Sequence, residues 1–524
     1  MSAVQHIFRG ERLQAFSDAV FAIVATIMVI PLKLNIKEGD IPSDYILHDH
    51  LYNLYPRYLI YLFSFVLVVD TWYSHSRIFS IVEQVDDVIM WLNLLSLLFI
   101  SFLPYGTGLI SHFQASRPEG FELAVSTCSA IIILTGLIMV VMLLYAFRKQ
   151  ALLHPEVADN TDMRSLKIGL LTTLSVNPLL ALGALFFSLF HTESTQIISL
   201  VFFYCMGLGS LVVRTVIHLY HRRKCYSLPD FATSIFRTVA SKSRTEAFSD
   251  GVFSIVATLI VLDFTATIPT SEAVRNNHGG NLRYALGSTR FIYLSYVASF
   301  CIVGLLWFVQ YGMFHFLKKI TPTLSFINTI TLCLVGGIPF VSSIYVIFIS
   351  NEESLKTMYS VDNQLVAMRA SVVLVFLVGL SQLLFWSIAL YQKRECLSEE
   401  VDRYPAEILM FVKIMIFPTV SGILFGITFT EGISAKHVYG FVIATTPFLF
   451  LLAKFVFLIQ ECMKTRAVKA KEKVLRLRYT TRQHEGEEEH TPAGHRVTSS
   501  RKPSISAPIN TLAPEQVPLK AANC

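Results

Sequence analysis

Long apolar stretches separated by short polar segments divide the chain into about twelve windows, each long enough to cross a lipid bilayer as a helix. About 20 apolar residues in a helix span the roughly 30 Å hydrocarbon layer and satisfy their own backbone hydrogen bonds. The windows lie at residues 13–34, 58–76, 88–111, 121–147, 166–190, 196–219, 247–266, 291–316, 322–348, 368–391, 408–430 and 438–462. The pattern predicts an all-α polytopic membrane protein.

Two of these windows carry nearly the same sequence, RLQAFSDAVFAIVATIMVI from Arg12 and RTEAFSDGVFSIVATLIVL from Arg244. Later anchors recur at matched spacing in the two halves, namely Trp72 and Trp307, Asn93 and Asn328, and Pro104 and Pro339. Anchors that stay in register indicate an internal duplication. Six helices per half predict two parallel repeats, at residues 1–225 and 226–463, followed by a basic and then disordered cytosolic tail at 464–524.

Composition and charge agree with a membrane protein. Hydrophobic residues make up 53% of the 524 residues and charged residues only 15%, more apolar than a soluble domain requires. Lys and Arg concentrate in alternate connections, for example Arg148 and Lys149, which predicts that both termini are cytosolic. This asymmetry and the tail account for the net charge of +6, so we expect no nucleic-acid partner.

The doubled motif R-x-x-x-F-S-D resembles the signature of the transmembrane protein 175 family, the endosomal and lysosomal potassium channels. It comprises Arg12, Phe16, Ser17 and Asp18 in the first half and Arg244, Phe248, Ser249 and Asp250 in the second. The resemblance implies a multi-pass protein of the endosome and lysosome membrane, permeable to potassium ions and secondarily to protons. It also implies a homodimer in which the first helix of each half lines one pore.

Helix geometry selects one face of each first helix. At about 100° per residue, Ala19, Ile23, Thr26 and Ile30 share a face, as do Gly251, Ile255, Thr258 and Leu262. By the resemblance, Ile23 and Ile255 form the constriction and Thr26 and Thr258 an adjacent hydroxyl layer. Four isoleucines around an axis can gate by dewetting. The alternative is ordinary packing, since most such isoleucines face protein or lipid and membrane threonines usually bond their own backbone.

The FSD aspartates lie away from that face, because five residues turn a helix through about 140°. We expect Asp18 and Asp250, with Ser17 and Ser249, to accept hydrogen bonds from adjacent helices; the alternative is an ordinary helix cap. Asn93 and Asn328 are the expected interhelical donors, and Trp72 and Trp307 are either interfacial anchors or packing residues. Asp70 has no counterpart in the second half, where Leu305 stands, and is either a pairing partner or a local water site.

Other function classes lack their motifs in this sequence. No TVGYG filter, arginine-rich voltage sensor, nucleotide-binding loop or metal-ligand motif occurs, and the eight cysteines are scattered. We therefore predict no enzymatic activity, metal or cofactor. A twelve-helix secondary transporter is the main alternative, but it usually breaks its helices near the bilayer midplane. A nonconducting scaffold is a further alternative, and the tail is a candidate site for cytosolic regulators.

Overall fold

The computed structural model describes residues 8–32, 44–113, 118–158, 163–190, 192–224, 240–265, 268–277, 279–288, 290–350, 360–398, 405–429, 445–456, 458–459, 462–463 and 466. Met1–Leu458 form one compact unit, which contains the first predicted repeat and all but the last five residues of the second, and Ile459–Cys524 form a second unit. The predicted boundary at 225/226 and the predicted tail, except Arg466, lie outside the described residues.

The elements are almost all helical. The first half contains β1 Phe8–Arg9, α1 Glu11–Ile27, α2 Leu47–Asn53, α3 Tyr55–Ile81, β2 Gln84–Val85, α4 Asp87–Ser101, α5 Leu103–Phe113, α6 Pro118–Arg148, α7 Pro155–Ala158, α8 Met163–Ser188 and α9 Glu193–Lys224. The second half contains α10 Lys242–Thr265, α11 Ser271–Asn277, α12 Leu282–Ser288, α13 Arg290–His315, α14 Pro322–Gly336, α15 Ile338–Tyr345, α16 Ser360–Tyr391, α17 Lys393–Cys396 and α18 Pro405–Ile427, with α19 Thr445–Val456.

The predicted windows coincide with helices. Within the described residues, nine helical spans are long and apolar enough to cross a membrane, and α2 with α3 forms a tenth that bends by 49°. The sixth window overlaps the shorter apolar helix Ser194–Ser210, and the twelfth contains the shorter apolar helix Thr445–Val456. In α9 the backbone departs from helical geometry at Met206, where ψ is −127°, so that helix is not one straight span. The predicted helical membrane fold is confirmed.

The third span of each half breaks at the same place. α4 ends before Phe102 and α14 ends before Gly337, and in both cases a proline follows two residues later, Pro104 or Pro339. Proline lacks the N–H that would continue the helical ladder and clashes with the preceding turn. The duplicated proline therefore gives both halves the same broken third span.

A short strand pair joins the first helix to the rest of its half. β1 pairs antiparallel with β2, with Phe8 opposite Val85 and Arg9 opposite Gln84. A Cβ at Gly10 would lie 3.2 Å from the Val85 side chain, so the chain enters α1 in close contact with β2. The pairing ties the start of α1 to the connection between α3 and α4.

Asp86 caps the start of α4 at the end of this connection. Its carboxylate accepts the backbone N–H of Ile89 at 3.0 Å, the Lys149 ammonium at 2.9 Å and the Tyr145 hydroxyl at 2.7 Å. Burial alone would raise the pKa of this carboxyl, but the three donors outweigh it and hold the pKa below its ordinary value. The ionised carboxylate thus joins α4 to the end of α6.

The apolar core continues from one half into the other. One cluster of buried residues includes Phe21 and Trp72 of the first half and Phe248 and Phe314 of the second. α1 packs against α3, α4 and α10, so the first helix of each half lies beside the other. This arrangement brings the two FSD motifs together.

Candidate functional site

The first helices of the two halves meet through small residues. A Cβ at Gly251 of α10 would lie 2.9 Å from the Cβ of Ala22 of α1, closer than real Cβ atoms approach. Ala22 and Ala25 are fully buried. Small side chains allow helix backbones to approach closely in membranes, and here they set the line along which α1 and α10 touch.

Beside this line, α1 carries an exposed strip. Ile23 is 42% exposed and Ile30 is 41% exposed, and Ala19 is exposed between Ile23 and the FSD motif. α1 ends at Ile27, and Ile30 begins a short 3₁₀ turn. The strip is apolar along its length.

The corresponding strip of α10 is more polar and is rotated relative to that of α1. Thr258 and Leu262 are exposed, as is Ser254, whereas Gly251 and Ile255 are half-buried. α1 and α10 contact each other through Ala22 and Gly251, and each leaves part of its surface exposed outside that contact.

Thr26 does not lie on the exposed strip, contrary to the predicted pore-lining position. Its side chain is 0% exposed, and its hydroxyl donates to the carbonyls of Ala22 at 3.0 Å and Ile23 at 2.9 Å. The physical reason is that Thr26 lies one turn beyond Ala22, on the side of α1 that α10 packs against. Its equivalent, Thr258, is exposed and donates to the Ile255 carbonyl at 2.8 Å.

Asp18 lies on the far side of α1 from the strip and is buried. Its carboxylate accepts the indole N–H of Trp72 at 2.7 Å and the guanidinium Nε–H of Arg244 at 3.1 Å. A second guanidinium nitrogen of Arg244 also donates to it, which gives the forked geometry that favours arginine–carboxylate pairs. Because Arg244 belongs to the second half, this ion pair joins the two halves.

Phe248 completes this junction. Its ring stacks on Trp72, with centroids 4.3 Å apart and planes inclined by 22°. Trp72 is therefore fixed by Asp18 at its nitrogen and by Phe248 at its face. Both partners come from the first helices, so Trp72 has a packing role rather than that of an interfacial anchor.

Ser17 is held by the third span of its half. The amide of Asn93 donates to the Ser17 hydroxyl at 3.1 Å, and that hydroxyl donates to the Leu13 carbonyl at 2.8 Å. Nε2 of His75 lies 2.7 Å from the Asn93 amide oxygen. We call Ser17, Asp18, Trp72, His75 and Asn93 the first network.

The second half repeats these bonds. Trp307 donates to Asp250 at 2.8 Å. Asn328 donates to Ser249 at 3.1 Å, and Gln310 donates to the Asn328 amide oxygen at 2.8 Å. We call Ser249, Asp250, Trp307, Gln310 and Asn328 the second network.

Sequence reasoning missed His75 and Gln310. Each follows its matched tryptophan by three residues and so lies one turn further along the same helix face, which is the signal that identifies them.

The two networks differ in exposure. Asp18 and Trp72 are buried, whereas Asp250 is exposed and Trp307 is 39% exposed. Among the described residues no basic side chain forms an ion pair with Asp250, and Arg12, the equivalent of Arg244, is exposed. The second network therefore lacks the half-to-half contacts that complete the first.

Asp70 has a pairing partner. The amide of Asn177, which precedes Pro178 in α8, donates to the Asp70 carboxylate at 2.8 Å. This bond joins α3 to α8 and answers the question that the sequence left open.

No metal centre accompanies these networks in the part of the chain that the structure describes. Groups of three or more His, Cys, Asp or Glu side chains placed to hold a metal ion are not found there.

Comparisons with known proteins match both motif regions. A family model described as "Endosomal/lysosomal potassium channel TMEM175" matches residues 12–104 and 244–339. Each matched segment begins at the motif arginine and ends at the proline of the third span. The family predicted from the doubled motif is confirmed.

Relatives that match most of this chain and relatives that match a fifth of it are named for different ions. The endosomal/lysosomal proton channel TMEM175 of Gallus gallus is 30% identical over 450 residues, 84% of this chain and 86% of the relative. A potassium channel of Chryseobacterium sp. (strain P1-3) is 41% identical over 104 residues, 20% of this chain and 50% of the relative. A crystal structure of a lysosomal potassium-selective channel TMEM175 homolog from Chamaesiphon minutus is 24% identical, with a TM-score of 0.32, and covers 38% of this chain and 96% of that one.

Proposed function

Because this chain belongs to the TMEM175 family of endosomal/lysosomal channels, we propose that it is a leak-like, potassium-permeable cation channel of the endosomal and lysosomal membrane. It is an ion channel and not an enzyme. Potassium ions move down their gradient, and protons permeate secondarily. The names of the relatives, which include both potassium and proton channels, support this pair of ions.

The observation that carries the proposal is that α1 and α10 pack against each other and each presents exposed residues of the repeated motif face, while a network holds each helix at its FSD residues. Ile23 and Ile255 occupy equivalent positions in the two motifs, five residues after the FSD aspartates. Two copies of the chain would surround an axis with four isoleucines. Such a ring excludes water when narrow and conducts when wetted, so it serves as constriction and gate.

Beyond the constriction the proposed path is lined by Ile30, Thr258 and Leu262. The exposed Thr258 hydroxyl donates to its own helix, so its oxygen keeps lone pairs for a passing cation. Because Thr26 is buried, a dimer offers two such hydroxyls rather than four. The strip has no titratable side chain between Ile23 and Ile30, which supports a secondary role for protons.

A homodimer is supported by comparing equivalent positions in the two halves. Trp72 is 0% exposed because Phe248 of the other half covers it, whereas Trp307 is 39% exposed. Phe248 is 1% exposed, whereas Phe16 is 52% exposed. A twofold axis along the membrane normal would place the Phe16 of one copy on the Trp307 of the other, and Arg12 opposite Asp250.

The second spans give the same comparison. Tyr61 of α3 donates to the Cys333 carbonyl of α14 at 2.6 Å, and Phe65 beside it is fully buried. The equivalent of Phe65 is Phe300, which is 47% exposed, and the equivalent of Cys333 is Leu98, which is 51% exposed. The exposed apolar residues of the second half are thus equivalent to residues that are buried between the halves in the first. This supports a second copy of the chain as the partner that covers them.

Both termini are proposed to be cytosolic, on the distribution of Lys and Arg between alternate connections. The proposed divisions remain two six-helix repeats and a tail that offers sites for cytosolic regulators.

The test is a reversal potential under bi-ionic potassium and sodium conditions, with purified protein in a planar bilayer. We expect a potassium-selective current. The variant Ile23→Asn, Ile255→Asn should enlarge this current and reduce its selectivity, because amides wet the constriction.

The matched control is Ile168→Asn, Ile423→Asn, which changes two exposed isoleucines of α8 and α18 outside the proposed path. Its currents should equal those of the parent. Currents unchanged in the first variant would remove Ile23 and Ile255 from the pore, and intact protein without current would contradict the channel itself.

A further inference from the structure

Two lysines lie inside the last apolar helices, Lys413 in α18 and Lys454 in α19. The two helices pack through Phe417 and Phe450, whose ring centroids are 5.5 Å apart. Lys413 precedes Phe417 by one turn, and Lys454 follows Phe450 by one turn. Consecutive spans run in opposite directions, so both lysines lie on the same side of the phenylalanine pair.

The two positive charges lie near each other, and no acidic group in the described part of the chain balances them. Their ammonium groups repel each other, and neither forms an ion pair with a carboxylate among the described residues. Lys413 is half-buried, with Nζ 4.8 Å from the ring centroid of Phe308, a cation–π contact that compensates it in part. Unbalanced cations within a membrane span are costly and mark sites that bind an anion.

An apolar groove along residues 445–458 adjoins Lys454. Its volume is about 710 Å³, and Lys454 is the one charged residue among the described side chains that line it. The others are Thr445, Phe448, Leu449, Leu451, Leu452, Phe455 and Leu458. Such a groove suits an acyl chain, next to ammonium groups that suit a phosphate.

We propose that α18 and α19 hold a phosphate-bearing anionic phospholipid, with its phosphate between Lys413 and Lys454 and an acyl chain along the groove. Lysine side chains extend toward the headgroup level while their stems stay in apolar surroundings. Basic pockets between membrane helices bind anionic headgroups in this way. In the proposed orientation this is the cytosolic leaflet, and binding itself depends neither on orientation nor on conduction.

The experiment is native mass spectrometry of the full-length protein in detergent, titrated with phosphatidylglycerol. We expect saturable binding by the parent. The variant Lys413→Gln, Lys454→Gln should bind about thirtyfold more weakly, which equals about 2 kcal/mol at 1.4 kcal/mol per tenfold. Lys413→Arg, Lys454→Arg should keep the parent affinity, because the charges remain.

The control Lys318→Gln, Lys319→Gln removes the same charge from two exposed lysines after α13 and should not change binding. Thermal unfolding in phosphatidylcholine shows whether the double glutamine variant folds. If it does not, Lys454→Gln carries the test, because that side chain is exposed. Undiminished phosphatidylglycerol binding by the folded variant overturns the site. Equal competition by inorganic phosphate would assign it to a soluble anion instead of a lipid.

Discussion

At the scale of single residues, Asp18 connects the two halves of the chain, which its motif alone does not indicate. Its carboxylate, buried with Arg244, bonds a tryptophan of its own half and an arginine of the other. Removing one member of a buried ion pair leaves the other charge uncompensated. We expect Asp18→Asn to lower the free energy of unfolding in mixed micelles by about 3 kcal/mol.

Two further variants test this prediction. Asp18→Asn combined with Arg244→Gln removes both charges, so the cost of a buried unpaired charge disappears and part of the loss should be recovered. Asp362→Asn, on the exposed first turn of α16, should have little effect. If Asp18→Asn unfolds like the parent but changes ion preference, Asp18 acts on the permeating ion rather than on the fold.

The two threonines give a second prediction at this scale. Thr258→Val should change the ratio of potassium to sodium permeability, because it removes an exposed hydroxyl from the proposed path. Thr26→Val should leave that ratio unchanged, because its hydroxyl is buried and bonded to its own helix. Bi-ionic reversal potentials of the two variants check this, and equal shifts in both would mean that Thr26 also contacts the ion.

The sequence allows the partners within each half to be predicted but not those between the halves. Asn93 and Ser17 recur with Asn328 and Ser249 in register, so one repeated spacing indicates both bonds. Thr26 and Thr258 are the same residue in the same motif, yet only one is buried. That difference arises from tertiary packing, since the chain covers the side of α1 that holds Thr26 but not the side of α10 that holds Thr258, and the local sequence does not show which side is covered.

At the scale of elements, α4 depends on the cap at Asp86. The folded-state pKa of this carboxyl lies below its ordinary value of 3.8. Its stabilisation is therefore complete at neutral pH and is lost as the pH falls through the folded-state pKa. Asp86→Asn should lower the free energy of unfolding by about 1 kcal/mol at pH 7, and the difference should vanish in strong acid.

Unfolding of the parent and of Asp86→Asn in acid-tolerant detergent, followed from neutral to acidic pH, measures this difference. A gap that stays constant with pH would show that the charge of Asp86 is not what holds α4 to α6.

Hydropathy predicts the existence of the elements better than their shape. All twelve windows contain helices, because each must satisfy its backbone in lipid. The repeated prolines mark the broken third spans in advance. The bend at Met206 has a weaker marker, since Gly207, Gly209 and Ser210 follow it but no proline does.

At the scale of the whole molecule, the proposed dimer rests on a comparison of the two halves. The contacts that the first network makes to the second half within one chain have no equivalent at the second network, whose residues are exposed. Arg12→Glu places like charges opposite each other if Arg12 faces the partner's Asp250. We expect this variant to shift the protein from dimer to monomer, and Arg12→Glu with Asp250→Arg to restore the dimer. Light scattering after size exclusion measures both.

Arg164→Glu, at an exposed position at the start of α8, is the matched control and should remain dimeric. Failure of the charge swap to restore what Arg12→Glu loses would mean that these two residues do not face each other.

Fusion of the two repeats into one polypeptide also bears on inheritance. Arg244 meets the aspartate of its own chain, so a damaging substitution there removes that chain before it assembles, and the normal allele still yields normal dimers. In the proposed dimer, a chain altered at Arg12 should fold and still pair with a normal chain through the remaining Arg12–Asp250 contact, and so weaken the dimers that it enters. Substitutions of the motif arginine should therefore be recessive at Arg244 and dominant at Arg12.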